Sequence, residues 1–206
     1  MKISYSILTH NETSSLEKLI QFLVKHKDEE DEIVILDDYS DNEKTKEILD
    51  VTVSIYEIKF EQRHLHKDFA NQKNYLNGMC DGSYIMNLDA DEILTKYFIK
   101  NIKMVLEANE TIDLFWIPRV NTVNGITQQH IQKWGWEVNE NGWVNFPDWQ
   151  PRLYKKRPNI RWEKPVHERI VGYREHTFLP AEKEWAIVHK KDIERQESQN
   201  EFYSKI

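Results

Sequence analysis

Three carboxylates fall within four residues, directly after an apolar and β-rich segment. Residues 84 to 88 have the composition of a buried central strand, and Asp89, Asp91 and Glu92 follow it. Oxygen atoms are the ligands that Mg²⁺ and Mn²⁺ prefer. Because side chains two positions apart in a strand point to the same side, Asp89 and Asp91 are both predicted to approach one ion. The spacing therefore predicts a site for a divalent cation and a diphosphate group, with a merely solvated charged turn as the alternative.

Composition limits the class of protein. The chain has 206 residues, of which 39% are hydrophobic and 31% charged, as is typical of one globular domain. Its net charge of -7 argues against general nucleic-acid binding. It contains no apolar run of 18 residues, and its first strand-like segment is too short and too polar for a signal peptide. Cys80 is the only cysteine, so no intrachain disulfide can form, and we expect a cytoplasmic protein.

The pattern along residues 1 to 110 alternates between strand-like and helix-like segments. Strands are predicted over residues 3–8, 32–36, 51–58 and 83–88, and helices after residue 14 and over residues 43–49 and 67–79. Ser14 and Glu17 have the spacing of a capping box at the first helix. A further helix (residues 99–106) and a strand (residues 114–120) follow. This order predicts an α/β fold with a doubly wound, mostly parallel sheet.

Polar residues follow three of the predicted strands. They are Thr9 to Glu12, Asp37 with Asp38, and Asp89 to Glu92. In doubly wound sheets, ligands bind beyond the carboxyl ends of the strands, so these residues are expected to converge on one edge. A glycine-rich turn after the first strand is absent, which argues against a dinucleotide-binding fingerprint and a Walker-type loop.

The second half of the chain has an unusual distribution of aromatic and basic residues. Four of the seven tryptophans fall between residues 134 and 149, and aromatic side chains continue to Trp162. They suit either an acceptor groove or a core beneath a long loop. The set comprises Trp134, Trp136, Trp143, Trp149, Tyr154 and Trp162. Residues 151 to 175 carry eight basic side chains against three acidic ones, which suits a phosphate-bearing ligand or an ordinary exposed strand pair.

Over about residues 2 to 190 the chain resembles the family 2 glycosyltransferases of the GT-A fold. Four segments carry the resemblance: Ser6 to Glu12, Ile33 to Asp41, Phe69 to Asn74, and Asn87 to Glu92. Within the family the chain is most similar to the branch that resembles lipopolysaccharide-core glucosyltransferases. That branch has a Phe-Ala-x-Gln-[Lys/Arg]-Asn segment, an Asp-Ala-Asp-Glu segment and a later Val-His-Glu, which here is Val166 to Glu168.

The resemblance implies a donor site for a nucleoside-diphosphate sugar, with UDP as the expected nucleotide. It places Thr9 and Glu12 beside the base and Asp38 on the base or ribose, although Asp38 could instead cap the next helix. Lys73 would lie near the nucleotide or be a solvated helix lysine.

The resemblance also implies a divalent cation, Mn²⁺ or Mg²⁺, at the diphosphate. Asp91 would be its main ligand. Asp89 would contact the ribose or reach the ion through water, and His189 would contact the ion or the diphosphate. A structural role is the alternative for His189.

Glu168 is the candidate general base, because an inverting transfer needs a carboxylate to take the proton from the acceptor hydroxyl. Glu92 is the second choice, and His167 could be a ligand, a base or a buried structural residue.

The resemblance thus predicts a metal-dependent, inverting glycosyltransferase with a hydroxyl acceptor, by default a surface glycan or lipopolysaccharide. We expect a single domain over residues 1–206. Residues 1–110 would form the nucleotide-sugar half, residues 111–191 the acceptor half, and residues 192–206 a helical tail. No membrane span is expected, while peripheral contact with a membrane stays open. Two alternatives are a non-catalytic sugar- or metal-binding module on the same fold and a nucleotidyltransferase that makes sugar nucleotides.

Overall fold

The computed structural model describes the backbone of residues 1–203 and the side chains of residues 1–198. Residues 204–206 of the predicted tail lie outside the described residues. The elements of the first half are β1 (Ile3–Thr9), α1 (Ser14–His26), β2 (Glu32–Asp37), α2 (Glu43–Tyr56), β3 (Lys59–Gln62), α3 (Phe69–Met79), β4 (Tyr84–Asp89), β5 (Glu92–Ile93) and α4 (Lys96–Ala108). Those of the second half are β6 (Leu114–Ile117), β7 (Arg119–Asn124), α5 (Gln128–Trp134), β8 (Gln150–Lys155), β9 (Arg161–Glu163), β10 (Arg169–Val171), β11 (His176–Phe178), β12 (Ile187–Asp192) and α6 (Ile193–Tyr203).

A seven-stranded sheet forms the centre of the fold. Its strand order is β11-β6-β8-β4-β1-β2-β3. β1 to β4 run parallel to one another, and β8 is antiparallel to its neighbours β4 and β6. The α/β fold with a mostly parallel sheet that the sequence predicts is therefore confirmed. Strands β6, β8 and β11, which come from the predicted acceptor half, complete the same sheet.

Both faces of this sheet are covered. Along β2, Ile33 and Ile35 belong to one buried core, and Val34 and Leu36 belong to the other. The alternation follows from strand geometry, because successive side chains point to opposite faces. A continuous apolar run such as Ile33 to Leu36 is thus explained by burial on both sides.

Two smaller pieces of sheet are important for the site. β5, β12 and β7 form a three-stranded sheet in which His189 is paired with both Glu92 and Asn121. β9 and β10 form an antiparallel hairpin, and Glu168 directly precedes β10. The strand pair that the sequence offered as an alternative within residues 151–175 is found as β9 and β10, whereas the pairing of β5, β12 and β7 was not predicted, because short strands of mixed polarity give little periodic signal.

Three local predictions are wrong. Residues 51–58 are not a strand: α2 continues to Tyr56, and its buried residues Ile48, Leu49 and Thr52 have helical spacing. The predicted strand over residues 114–120 is divided at Pro118 into β6 and β7, which belong to different sheets. The capping box at Ser14 does not form, since the helix begins at Ser14 itself and the N-cap residue makes no side-chain cap bond.

The expected relation between Asp89 and Asp91 also differs from the prediction. β4 ends at Asp89, and Asp91 lies in the turn that leads into β5. The two carboxylates therefore do not share one face of a strand. Each carboxylate has its own partners, which are Arg152 for Asp89 and His189 with Arg195 for Asp91.

Candidate active site

A cleft of about 800 Å³ lies where the parallel strands end. Residues that follow β1, β2 and β4 all line this cleft, so the predicted convergence of polar residues at the strand ends is found here. Eight residues that the sequence assigned to the site line this cleft: Thr9, Glu12, Asp38, Lys73, Asp89, Asp91, Glu168 and His189. Glu92 and His167, the two alternatives, are not among its lining residues. The fold brings the eight together, whereas their chemical roles depend on the arguments below.

Asp89 is held by an arginine that comes from β8. Arg152 Nη2 donates to Asp89 Oδ2 at 2.5 Å and to Glu92 Oε1 at 2.9 Å, and Nη1 lies 3.3 Å from Asp89 Oδ1. Burial alone would raise the pKa of Asp89, but the Arg152 guanidinium holds it well below its usual range. With both of its oxygens on Arg152, Asp89 suits a structural or ribose contact better than direct coordination of an ion.

Asp91 faces a histidine on β12. His189 Nε2 lies 3.2 Å from Asp91 Oδ2, and both side chains are buried. Burial alone would raise the pKa of Asp91, yet the hydrogen bond and charge of His189 lower it. The three-stranded sheet explains the contact, because it places β12 beside β5, immediately after the turn that carries Asp91.

A chain of polar side chains orients His189. Asn121 Nδ2 donates to Asp148 Oδ2 at 2.8 Å, which directs Asn121 Oδ1 towards His189 Nδ1, also at 2.8 Å. His189 Nδ1 therefore carries the proton that Asn121 accepts. Asp148 is fixed in turn by Arg119, whose Nε and Nη2 both donate to its Oδ2.

Asp91 and His189 fit a divalent cation by their chemistry. With Nδ1 protonated, two states of His189 are open. In the imidazolium, Nε2 donates to Asp91. In the neutral ring, Nε2 offers a lone pair towards the Asp91 carboxylate, and a cation is then needed between these two acceptors. A carboxylate oxygen and an imidazole nitrogen are a donor pair that Mn²⁺ accepts. Within the described residues there is no group of three or more His, Cys, Asp or Glu side chains that could hold an ion. Further ligands would come from the diphosphate and from water.

Asp38 is in the cleft and does not cap a helix. The N-cap of α2 is Asn42, whose side chain accepts from the Thr45 N–H. Asp38 Oδ1 instead accepts from the Leu65 N–H at 2.9 Å. Two histidines, His10 and His64, each approach Asp38 to 3.8 Å. The alternative of a helix cap is thus wrong, and the carboxylate remains on the cleft wall.

The residues after β1 also lie on that wall. Thr9 is buried, and its backbone carbonyl accepts from the Asp38 N–H at 2.9 Å. Glu12 is paired with Arg195 of α6 through both carboxylate oxygens. The first two strand ends are therefore linked to each other directly and to the C-terminal helix.

Lys73 and Glu168 form a largely buried ion pair. Lys73 Nζ donates to Glu168 Oε1 at 2.5 Å and also lies 4.3 Å from the centre of the Trp162 ring. Lys73 is thus not the solvated helix lysine that the sequence left open. The neighbouring His167 is exposed and has a positive φ of 54°, so it is not a buried structural histidine.

The segment Phe69 to Asn74 holds the hairpin that carries Glu168. The side-chain amide of Asn74 pairs with the backbone of Trp162 as a neighbouring strand would. Its Nδ2 donates to the Trp162 carbonyl at 2.8 Å, and its Oδ1 accepts from the Trp162 N–H at 2.9 Å. The Phe69 N–H donates to the Pro165 carbonyl at 2.8 Å. These bonds fix the loop between β9 and β10 against α3, so that Glu168 meets Lys73.

The aromatic and basic residues of the second half have mixed positions. Tyr154 and Trp162 belong to the core, whereas Trp136 lines the cleft. Trp134, Trp143 and Trp149 are half-buried. Much of the predicted basic patch is paired inside the protein, as Arg152 shows, and Lys155 and Arg157 both contact Asp113.

Several residues of the site were missed in the sequence. Arg152 gave only a weak signal, because it directly precedes Leu153 and Tyr154 in a strand that also contains Gln150 and Lys155. Asn121, Asp148 and Arg195 gave none, because their importance depends on contacts between distant segments. Arg119 likewise reaches Glu92 and Asp148 only through the pairing of the small sheet.

The sequence model of glycosyl transferase family 2 matches residues 4–174. The chain therefore belongs to this family. No curated protein matches it in sequence.

Solved structures show the same fold. The structure of S. aureus TarS 1-349 superposes with a TM-score of 0.66 at 16% identity over 92% of this chain. Its complex with UDP-GlcNAc gives a TM-score of 0.65 at 16% identity, covering 93% of this chain and 59% of that one. Its complex with UDP gives a TM-score of 0.60 at 16% identity, covering 92% of this chain and 60% of that one. This chain spans about 60% of the length of TarS 1-349. The fold is GT-A, and no helix within the described residues is long and apolar enough to cross a membrane.

Proposed function

We propose that the protein is a metal-dependent, inverting glycosyltransferase that moves a sugar from a UDP-sugar to a hydroxyl acceptor. The observation that carries the proposal is the convergence in one cleft of Asp38 and Asp91 on the donor side with Glu168 on the other. Membership of glycosyl transferase family 2 supports it. The complexes of TarS with UDP and UDP-GlcNAc support the choice of nucleotide.

The residues have separate tasks in this reaction. Glu168 takes the proton of the acceptor hydroxyl while the hydroxyl oxygen bonds to the anomeric carbon of the donor sugar. The bond from that carbon to the diphosphate oxygen breaks at the same time. Lys73 orients the Glu168 carboxylate. A divalent cation bound to Asp91 and His189 would supply Lewis-acid stabilisation of the leaving nucleoside diphosphate. Asp38, Thr9 and Glu12 lie where they can position the base and ribose.

The acceptor is proposed to be a surface glycan or lipopolysaccharide. The resemblance of the Val166 to Glu168 and Phe69 to Asn74 segments to the lipopolysaccharide-core branch supports this acceptor. The two segments are in contact through Lys73 and Glu168. Trp136 on the cleft wall offers an aromatic face for a sugar ring. A cytoplasmic location and peripheral contact with a membrane stay predictions.

Binding of UDP should depend on a divalent cation and on Asp91. We expect isothermal titration calorimetry to show UDP binding in Mn²⁺ that is lost in EDTA and in Asp91→Ala. Asp50→Ala, which removes an exposed aspartate of α2, should bind like the wild type. If UDP, GDP, CMP and dTDP all fail to bind, the non-catalytic alternative replaces the proposal.

The orientation of His189 by Asn121 should affect the affinity for metal. Asn121→Ala is expected to weaken Mn²⁺ binding about 10- to 100-fold, as loss of a partner that orients a metal ligand does elsewhere. Asn124→Ala, on the same strand, removes only an exposed contact with Asp192 and is the matched control. Equal Mn²⁺ affinities for the two variants would show that His189 is not a ligand.

A further inference from the structure

Arg195 lies between two carboxylates of the cleft. Its Nη1 donates to Glu12 Oε2 at 3.0 Å, its Nη2 contacts Glu12 Oε1, and the same Nη2 is 3.0 Å from Asp91 Oδ2. The residue belongs to the first turn of α6, and its neighbours Gln196 and Ser198 also line the cleft. A single guanidinium therefore links the C-terminal helix to two residues of the donor site.

Both carboxylates that bind Arg195 are needed by the donor complex. Asp91 Oδ2 is the oxygen that faces His189, where the cation would bind. Glu12 lies where the base would contact the protein. Arg195 and the cation would compete for Asp91 Oδ2, and Arg195 and the nucleotide would compete for Glu12, so binding of cation and nucleotide is expected to displace the guanidinium.

Arg195 is better placed than Arg119 to change partners. The Arg119 side chain is 19% exposed and is paired with Glu92 and Asp148, neither of which is a proposed ligand. The Arg195 side chain is 37% exposed, so water can replace its carboxylate partners and their separation costs less free energy. Once released, a guanidinium is suited to bind a diphosphate, since its fork matches two phosphate oxygens.

We propose that Arg195 is a diphosphate-binding residue that is held by Glu12 and Asp91 in the free protein and moves to the donor when the cation and nucleotide bind. The inference rests on the proposed function and adds a residue to the donor site. In the free state Arg195 competes with the cation for Asp91. In the bound state it neutralises the diphosphate, and it thereby couples α6 to occupancy of the cleft.

Arg195→Gln should therefore change two affinities in opposite directions. Without nucleotide, Mn²⁺ should bind about tenfold more tightly to the variant, because the competing cation is gone. With saturating Mn²⁺, UDP should bind about tenfold more weakly, because the diphosphate has lost a partner. Mn²⁺ binding is followed by electron paramagnetic resonance of the free ion, and UDP binding by calorimetry.

Two further variants serve as controls. Arg174→Gln removes an exposed arginine outside the cleft and should match the wild type in both affinities. Arg195→Lys keeps the charge without the fork, so its Mn²⁺ affinity should stay near that of the wild type while its UDP affinity falls. Circular dichroism of each variant checks that the fold is retained.

Each outcome decides the inference. If Arg195→Gln weakens both ligands, Arg195 merely supports the geometry of Asp91 and Glu12, and the inference is wrong. If it changes neither affinity while the wild type binds UDP, the inference fails and the proposed function stands. A wild type that binds no nucleotide contradicts the proposed function. In that case the Mn²⁺ titration alone tests whether Arg195 competes with the cation for Asp91. Tighter Mn²⁺ binding by Arg195→Gln supports this competition, and an unchanged Mn²⁺ affinity overturns it.

Discussion

Glu168→Gln is expected to lower kcat about 10³-fold while UDP affinity stays within about twofold of the wild type. The amide cannot take a proton from the acceptor hydroxyl. Its oxygen can still accept the hydrogen bond from Lys73, so the local geometry is retained. The measurement is single-turnover transfer from a UDP-sugar together with calorimetric binding of UDP.

Glu163→Gln is the matched control for this substitution. Glu163 lies on the same hairpin, is half-buried and is paired with Arg161, so its loss should leave both kcat and UDP binding unchanged. Retention of a tenth or more of wild-type kcat by Glu168→Gln would exclude Glu168 as the base. Glu92 is a poor substitute, because its side chain is fully buried and accepts from Arg119, Arg152 and the Asp89 N–H.

Arg152→Met is expected to lower the free energy of unfolding by about 2–3 kcal/mol, because it leaves the buried Glu92 carboxylate with Arg119 alone and removes the cationic partner of the half-exposed Asp89. The Arg152 side chain is 5% exposed, and its partner Glu92 is 0% exposed. Methionine has a similar length and is apolar, so the loss comes mainly from the charge of Asp89 and Glu92. Urea denaturation followed by tryptophan fluorescence measures the effect.

An exposed arginine provides the comparison. Arg161→Met removes a pair in which both side chains are more than one third exposed, and it should cost less than about 1 kcal/mol. If the two variants lose similar amounts of stability, Arg152 does not neutralise a buried cluster.

The effect of Arg152→Met should also depend on pH. In the wild type the folded-state pKa of Asp89 is depressed, because Arg152 outweighs the effect of burial. Its stabilising contribution is therefore present above the unfolded-state value of about 3.9 and is lost as the pH falls through the lower folded-state pKa. In the variant the largest effect that lowers this pKa is gone, so the folded-state pKa of Asp89 moves back towards the unfolded value and the contribution is lost. The difference in stability between the two proteins should stay constant from pH 7 to about pH 4 and shrink as the pH falls further, whereas a difference that persists at lower pH would contradict this account.

The sequence alone determined the parallel part of the sheet, the edge at which the site lies and several of the residues that line it. Runs such as Ile33 to Leu36 report burial on both faces, and polar residues that follow parallel strands must meet at one edge. This local information was enough to place Thr9, Asp38 and Asp91 in one cleft, whereas Glu168 was placed there by the resemblance to the family. It failed at α2, where β-branched residues on an exposed helix face imitate a strand.

Only the tertiary structure decided which charge is paired with which. Asp89 and Asp91 are two residues apart, yet one is bound by Arg152 from β8 and the other by His189 from β12 and Arg195 from α6. These partners are separated from the acidic segment by 60 residues or more, and the pairings depend on how β8 and the small sheet close around β4. Side-chain periodicity reports burial within one element, but an ion pair depends on the relative position of two, which the sequence of neither element contains.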